Sequence, residues 1–126
     1  MQKDMYVTRM TLKEVCDIIG ITIPEEYKYM ENDLLTNIAY HTNFIQEGGL
    51  FFIRGKSKAD VDEKIQLAIN AKVKMVILEA ASADRPLLAQ IPHMTCEKTF
   101  KDVIKVSAKI RNDLGVKVIG VTGSLG

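Results

Sequence analysis

The strongest chemical signal in the sequence is a glycine-rich segment at its carboxyl end, which follows the apolar run Val116–Val121. Glycines at this spacing let successive backbone amides point into one concave anion site, and a buried strand leading into them has the form of the first part of a phosphate-binding loop. A Lys and a Thr or Ser complete such a loop, and both would follow Gly126. The candidate phosphate-binding residues are Thr122, Gly123, Ser124, Leu125 and Gly126. The spacing alone leaves an ordinary glycine-rich turn as the alternative.

Two histidines and a short basic segment are further candidates. His41 and His93 have no second His or Cys at ligand spacing, so we interpret them as solvated or hydrogen-bonded loop residues and predict no metal site. Lys56-Ser-Lys58 stands at the start of a predicted helix, where backbone amides can bind an anion. The alternative interpretation of this segment is a solvated basic turn.

Three tyrosines and three carboxylates complete the set of polar candidates. The tyrosines could stack on a base, but we interpret them as peripheral core packing: Tyr27, Tyr29 and Tyr40. The carboxylates are interpreted as residues that complement a helix dipole, because no opposing carboxylate for acid–base catalysis can be located. They are Asp60, Asp62 and Glu63.

The elements that position these residues follow from caps and apolar spacing. Thr11-Leu-Lys-Glu14 has the form of a capping box and predicts a helix over Leu12–Ile19, with Gly20 at its end. Ser57 as an N-cap predicts a second helix over about Lys58–Ala71. A third helix is predicted to begin at Cys96 or Thr99 and to end at Gly115. Single helical turns are predicted at Glu25–Met30 and Pro86–Gln90.

Short apolar runs between these helices predict strands. The predicted strands are Leu34–Ile38, Leu50–Ile53, Val73–Leu78 and Val116–Val121. Helices that alternate with such strands predict an α/β fold, a small mixed sheet with helices packed on it.

Composition excludes several classes of protein. Among 126 residues, 17 Lys and Arg oppose 16 Asp and Glu, so no global field favours nucleic acid or an anionic membrane. The longest apolar runs are far shorter than the roughly 20 residues of a membrane-spanning helix, and Met1–Tyr6 has no secretory character. Cys16 and Cys96 lack CxxC spacing and are predicted to be buried hydrophobic residues in a reducing compartment. We therefore expect a cytoplasmic protein without membrane or nucleic-acid partners.

The carboxyl-terminal segment Arg111-Asn-Asp-Leu-Gly-Val-Lys-Val-Ile-Gly-Val-Thr-Gly-Ser-Leu-Gly126 also resembles a known junction. It is similar to the join between the amino-terminal and central domains of Mur ligases, the ATP-dependent amide ligases that assemble the peptide stem of peptidoglycan. The Thr-Gly-Ser form and the preceding Lys109-Ile-Arg-Asn are most similar to the subgroup that adds D-alanyl-D-alanine.

Two upstream segments extend this resemblance, which spans the chain from Thr11 onward. Gln46-Glu-Gly-Gly-Leu-Phe-Phe-Ile53 resembles the family's Lys-Pro-Gly-Asp-Leu-Phe-Val-Ala, with Gly55 supplying the glycine that follows. Ala68-Ile-Asn-Ala-Lys-Val-Lys-Met-Val-Ile77 resembles the family's Ala-Ile-x-x-Gly-Ala-x-x-Val-Val.

The resemblance implies a division of roles along the chain. Residues 1–115 would form the domain that holds a UDP-sugar substrate, and residues 116–126 would begin the central ATP-binding domain. The parent enzyme would use ATP and Mg²⁺ to activate a carboxylate as an acyl phosphate, which an amino group then attacks. We expect residues 1–126 alone to be inactive and to bind neither cofactor, because the loop lysine, the Mg²⁺ ligands and the amino-acid-binding domain are not among them.

The chain departs from the family where UDP binding is expected. The family's Asp-Ser-Arg, implicated in gripping the UDP moiety, matches His41-Thr42-Asn43. The predicted UDP-sugar contacts are Thr42, which keeps the hydroxyl of the matched serine, and Asn43, which lacks the charge and five-donor fork of the matched arginine. Either other residues such as Arg54 or Lys56 replace that contact, or the substrate is not a UDP-sugar.

Two alternatives to this assignment stay open. One is a divergent member of the same family whose acceptor is not a UDP-muramoyl peptide. The other is a small α/β binding module whose glycine-rich end is coincidental. In the complete Mur-type enzyme, Val116–Val121 would start the central sheet; without that sheet it is predicted to pack on the domain or to pair with a second copy as a homodimer, because an unpaired apolar edge favours association.

Overall fold

Helix α1 (Leu12–Ile19) forms where the sequence combines a capping box with an apolar stripe. The computed structural model describes residues 10–99, 101, 105–106 and 108–109. In it the Glu14 amide donates to Thr11 Oγ1 at 3.1 Å, and the Thr11 amide donates to Glu14 Oε1 at 2.8 Å. Gly20 ends the helix in the left-handed conformation, with a φ of 78°. The predicted bounds are confirmed.

Helix α2 (Lys58–Ala71) begins after Ser57, whose Oγ accepts a hydrogen bond from the Asp60 amide at 3.1 Å. It ends at Lys72, which adopts a left-handed φ of 59° that residues with a Cβ rarely take. The buried stripe of the helix consists of Val61, Ile65 and Ala68. The bounds predicted for this helix are also confirmed.

Four short strands form one parallel sheet in the order β1, β2, β3, β4. They are β1 (Ile38–Ala39), β2 (Leu50–Ile53), β3 (Met75–Glu79) and β4 (His93–Cys96). Each connection crosses from the carboxyl end of one strand to the amino end of the next, which makes the neighbours parallel. Within the described ranges, antiparallel pairing is confined to a bridge between Thr11 and Leu34. The α/β class is confirmed, and the four strands of the described residues are all parallel, whereas a mixed sheet was predicted.

Two strand predictions were wrong in part. In the predicted strand Leu34–Ile38, only Ile38 belongs to β1, because the amides of Leu35 and Thr36 donate to carbonyls outside the sheet. Strand β4 was not predicted at all, since it is short, half polar and directly preceded by Pro92. Its extended conformation is supplied by pairing with β3.

The remaining predicted elements are close to those observed. The helical turns at Glu25–Met30 and Pro86–Gln90 are 3₁₀ helices. Strand β3 begins at Met75, two residues after the predicted start at Val73. A helix begins at Thr99, and the described residues 101, 105–106 and 108–109 are helical.

Side chains of the sheet alternate between two apolar clusters. Leu50 and Phe52 pack in the cluster that contains α1, whereas Phe51 and Ile53 pack in the cluster that contains α2. This alternation follows from the two-residue period of a strand. Strands β1, β2 and β3 are therefore buried on both faces, whereas β4 buries only Met94 and Cys96.

Cys16 and Cys96 are both free and buried, as predicted. Burial, with a further contribution from the charge of Asp17, raises the pKa of the Cys16 thiol to about 12. The Cys16 thiol is therefore protonated at neutral pH and contributes to packing.

Several predictions concern residues outside the described ranges. They are the helix end at Gly115, the domain division after residue 115, the strand Val116–Val121 with its homodimer edge, and the phosphate-binding loop Thr122–Gly126. In the described part of the chain, no helix is both long enough and apolar enough to cross a membrane.

Candidate functional site

The carboxyl ends of the four parallel strands meet at one edge of the sheet, which we call the carboxyl edge. Ligands of open parallel sheets bind outside this edge, where loops leave the strands. Tyr40 follows β1, Arg54 follows β2, Glu79 is the last residue of β3, and Thr99 lies shortly after β4. These four polar residues lie along the carboxyl edge, one at or after the end of each strand from β1 to β4.

Arg54 and Tyr40 connect the ends of the first two strands. Arg54 Nη1 donates to the Tyr40 hydroxyl oxygen at 3.0 Å. This hydrogen bond, with electrostatic contributions from Tyr40 and Glu79, holds the pKa of Arg54 above its ordinary value. The guanidinium is exposed, whereas Tyr40 is half-buried and packs against the α1 cluster. The pair therefore places a permanent positive charge at a defined point of the edge.

Glu79 and Thr99 connect the other two strands. The Thr99 amide donates to Glu79 Oε2 at 3.2 Å, so that a carboxylate caps the helix that begins there. The buried Thr99 hydroxyl donates to the Ile53 carbonyl at 3.3 Å, and the Cys96 Sγ lies 3.6 Å from the same hydroxyl. The start of this helix is thus bonded to β2 as well as β3.

The loop between β2 and α2 is strongly basic. Three of the five residues Arg54-Gly-Lys-Ser-Lys58 are positively charged and none is negative. Gly55 lets the loop lie close to α2, because a Cβ at this position would overlap the Val61 side chain. A cleft of about 190 Å³ adjoins the loop, and its lining includes Ser57 and Arg85.

The amino end of α2 is satisfied in part by its own carboxylate. The Lys56 amide donates to Asp60 Oδ2 at 2.9 Å, and Lys64 Nζ lies 3.4 Å from the same oxygen. The amide hydrogen bond and then the Lys64 charge hold the pKa of Asp60 below its ordinary value. This supports the prediction that Asp60 complements the helix dipole.

The predicted substrate contacts lie at the carboxyl end of β1. Thr42 and Asn43 belong to a 3₁₀ helix, Thr42–Phe44, that begins two residues after Tyr40. The Asn43 amide donates to His41 Nδ1 at 3.2 Å. The His41 and Phe44 rings make an edge-to-face contact, with centroids 6.2 Å apart. Thr42 and Asn43 therefore lie in the loop that follows β1 and Tyr40, and Arg54 lies in the loop that follows the neighbouring strand β2.

Asp62 has a role beyond the dipole complement that was predicted. Arg85 Nε donates to Asp62 Oδ1 at 2.8 Å, and Arg85 Nη2 donates to Oδ2 at 3.0 Å. The two hydrogen bonds hold the pKa of Asp62 below its ordinary value and raise that of Arg85. This ion pair connects α2 to the 3₁₀ helix Pro86–Gln90.

His93 and the tyrosines have varied environments. His93 lies in β4, not in a loop; its amide donates to the Tyr27 hydroxyl at 3.3 Å, and its Nδ1 is 3.0 Å from the Ile91 carbonyl. The hydrogen-bonded interpretation is confirmed and the loop interpretation is wrong. Tyr27 and Tyr40 pack against the core as predicted, but Tyr29 is 77% exposed, which overturns its packing prediction.

The arrangement at the carboxyl edge is suited to binding polar and anionic groups. It offers a guanidinium, a phenol, a carboxamide, the Glu79 carboxylate and the ammonium groups of Lys56 and Lys58, of which Lys58 Nζ lies 3.3 Å from Asp84 Oδ2. Within the described residues, no three His, Cys, Asp or Glu side chains are placed to hold a metal ion. Sequence reasoning named Tyr40 and Arg54 separately and Thr99 only as a possible helix start; it missed the Arg54–Tyr40 hydrogen bond and the position of Glu79. The carboxyl ends of parallel strands share one edge of the sheet, and this rule could have predicted that residues following different strands lie near one another.

Comparison with known proteins gives no assignment. The chain matches no protein-family model and no curated protein sequence.

Proposed function

We propose that this chain is the substrate-binding part of an ATP-dependent amide ligase of the Mur type, acting in the cytoplasm in peptidoglycan precursor synthesis. The proposed substrate is a UDP-N-acetylmuramoyl tripeptide, to which the complete enzyme adds D-alanyl-D-alanine. The proposal is motivated by the sequence resemblance of Gln46–Ile53, Ala68–Ile77 and Arg111–Gly126.

The observation that carries the proposal is that the segment matched to the family's UDP-binding motif lies beside one of the resembling segments. His41-Thr42-Asn43 leaves β1, and Leu50–Gly55 comprises β2 and the start of its loop. The two strands are parallel neighbours, with Ala39 paired to Phe51. The segment matched to the UDP-binding motif and a segment that resembles another part of the family pattern thus lie at one edge, which is where a parallel sheet binds ligands.

Thr42 and Asn43 would bind the nucleoside end of the substrate. The Thr42 hydroxyl can both donate and accept, and the Asn43 carboxamide offers one acceptor and two N–H donors. These groups match the hydrogen-bonding edges of uracil and the ribose hydroxyls. Neither group supplies charge, so the diphosphate requires a cation elsewhere.

ATP and Mg²⁺ are implied for the complete enzyme at Thr122–Gly126 and the residues that follow. That segment lies outside the described residues. When bound, ATP would supply the phosphoryl group that activates a carboxylate. The described residues are assigned binding and orientation of the substrate only.

Titration with UDP-N-acetylmuramoyl tripeptide tests the proposal. We expect saturable binding, and Thr42→Val should weaken it about three- to tenfold through loss of one hydrogen bond. Thr22→Val, an exposed threonine in the loop after α1, is the matched control and should leave affinity unchanged. Absence of binding at millimolar ligand in a folded sample would exclude a muramoyl substrate.

Asn43 favours a second candidate, a Mur-type ligase with a different acceptor, because it stands where the family pattern has arginine. This candidate predicts that muramoyl nucleotides fail to bind although the gene continues with Lys and then Thr or Ser after Gly126. If other residues are encoded there, the phosphate-loop interpretation is wrong and a small α/β binding module becomes the better assignment.

A further inference from the structure

We propose that a cleft at the amino end of β4 binds a small molecule that carries a primary ammonium group on an apolar body. This cleft, which we call the amino-edge cleft, lies between the 3₁₀ helices Glu25–Met30 and Pro86–Gln90, and its lining includes His93 at the start of β4. The proposal is independent of the proposed function, because the amino and carboxyl ends of parallel strands lie at opposite edges of the sheet.

The amino-edge cleft has the size of a binding site for a small ligand. Its volume is about 380 Å³, and such sites typically measure roughly 300–1,000 Å³. Leu88, Ile91 and Pro92 form part of the lining, and the first two of these residues are buried. This side of the cleft suits a short apolar chain.

The charge of the lining favours a cation over an anion. Glu26 is the only Asp, Glu, Lys or Arg among the described residues that line the cleft. Within residues 10–99, its exposed carboxylate makes no hydrogen bond and no ion pair. Lys28, the nearest cation along the chain, lines a different cleft beside α1. A ligand cation can therefore pair with Glu26 without displacing a side chain.

His93 supplies an acceptor whose tautomer is set by a backbone carbonyl. Its Nδ1 lies 3.0 Å from the Ile91 carbonyl oxygen, and because that oxygen can only accept, the proton is on Nδ1. In the neutral ring Nε2 is then the acceptor.

A hydrogen bond holds two walls of the cleft together. The His93 amide donates to the Tyr27 hydroxyl at 3.3 Å, which ties β4 to the 3₁₀ helix that carries Glu26. Fixing the walls before a ligand arrives reduces the ordering that binding requires.

A primary ammonium group matches the acceptors of this lining, because it has three N–H donors and no acceptor. The acceptors are the Glu26 carboxylate, the Gln90 carboxamide oxygen and His93 Nε2, which come from both 3₁₀ helices and from β4. In the described part of the chain, the Gln90 side chain makes no hydrogen bond that a ligand would have to break. A quaternary ammonium keeps the charge but has no donor, and an alcohol has a donor but no charge.

Titration of the full chain with n-butylammonium at pH 8, where a primary amine is protonated, tests the proposal. Imidazole resonances report the location, because His93 and His41 are the only histidines and His41 follows β1 at the carboxyl edge. We expect a saturable shift of the His93 resonances and no shift for His41. n-Butanol and n-butyltrimethylammonium should each bind at least about tenfold more weakly.

Two neighbouring carboxylates provide the variant and its matched control. Glu26→Gln should weaken n-butylammonium binding about two- to fivefold, as for loss of an exposed ion pair. Glu25→Gln removes an equally exposed charge from the same 3₁₀ helix, at a residue that does not line the cleft, and should leave affinity unchanged. Both titrations are made in about 0.15 M salt, which screens charges outside the cleft.

Several results would overturn the proposal. They are a His93 ring that does not shift, a shift at His41 instead, equal affinities of wild type and Glu26→Gln, and equal losses for Glu25→Gln and Glu26→Gln. Equal affinities for n-butylammonium and n-butyltrimethylammonium would show that the N–H donors are not recognised and would overturn it too. Binding of the muramoyl nucleotide at the carboxyl edge is measured separately, so failure of either proposal leaves the other standing.

Discussion

Tyr40 belongs to the core and to the surface at once. Its ring packs against the α1 cluster, while its hydroxyl accepts a hydrogen bond from the exposed Arg54. The position of the guanidinium is therefore tied to the packing of the domain. A ring without the hydroxyl would preserve that packing and release only the guanidinium, which makes phenylalanine the informative substitution at this position.

The Asp62–Arg85 pair should make stability depend on pH in the acid range. Arg85 holds the folded-state pKa of Asp62 below its unfolded value, which is about 3.9. The pair therefore contributes stability above that unfolded pKa, and the contribution is lost as pH falls through the folded pKa. Urea denaturation should show Asp62→Asn less stable than wild type at pH 7 and equally stable once the pH is below the folded pKa.

Asp17→Asn is the matched control for Asp62, since it removes a carboxylate from an exposed pair with Lys13 at 3.3 Å. Exposed pairs of this kind contribute little to stability. If both variants lost the same stability at pH 7, the hydrogen-bonded geometry of the Arg85 pair would not be the source of its effect.

Helices α1 and α2 both depend on polar residues just before their first turn. Thr11 and Glu14 bond reciprocally at the start of α1, and Ser57 accepts an amide at the start of α2. At their other ends, Gly20 and Lys72 are both left-handed. Tertiary hydrogen bonds add to these local signals, because the amides of Leu12 and Lys13 also donate to the carbonyls of Asp33 and Glu31.

The capping box of α1 gives a prediction at this scale. Thr11→Ala removes the acceptor of the Glu14 amide and should lower the free energy of unfolding by about 0.5–2 kcal/mol. Chemical denaturation followed by circular dichroism measures the change. Thr22→Ala, in an exposed loop position, should have little effect; a comparable loss there would show that the cap is not responsible.

Local signals also explain which elements the sequence could predict. The bounds of α1 and α2 were predicted from the sequence because their caps and apolar stripes are encoded within a few neighbouring positions. Strand β4 was missed because His93–Cys96 becomes extended only through pairing with β3. The Leu34–Ile38 run was predicted too long because its apolar composition does not reveal where its amides find acceptors.

The candidate site was only partly predictable for a related reason. Thr42 and Asn43 follow from a linear motif, and Arg54 from its charge and position after a strand. The Arg54–Tyr40 bond joins residues 14 positions apart and depends on β1 and β2 being parallel neighbours. Glu79 and Thr99 enter the edge only because β3 and β4 continue the same sheet.

At the scale of the whole molecule, one sheet serves two cores. The α1 cluster contains Met75 and Ile77, and the α2 cluster contains Val76 and Leu78. Successive residues of β3 thus support opposite layers. Loss of order in one layer exposes the strand that holds the other, so the two layers should unfold together.

Matched substitutions in the two layers test this coupling. Ile77→Val in the α1 cluster and Ile65→Val in the α2 cluster each remove one methylene group from a fully buried side chain. Each should lower the free energy of unfolding by about 0.5–1.5 kcal/mol in a single transition. Tyrosine fluorescence and circular dichroism should give coincident curves for both variants. Separate midpoints for the two probes would show that the layers unfold independently.

The bonds of Thr99 also have a mechanical consequence. Its amide is held by Glu79 of β3 and its hydroxyl by the Ile53 carbonyl of β2, at the point where the chain leaves β4 for a helix. Tension applied to the chain after Thr99 would therefore be shared by β2 and β3 through these two hydrogen bonds and would not fall on β4 alone. Thr99 is thus an anchor through which a pull on the following helix would be transmitted to the strand end that carries Arg54.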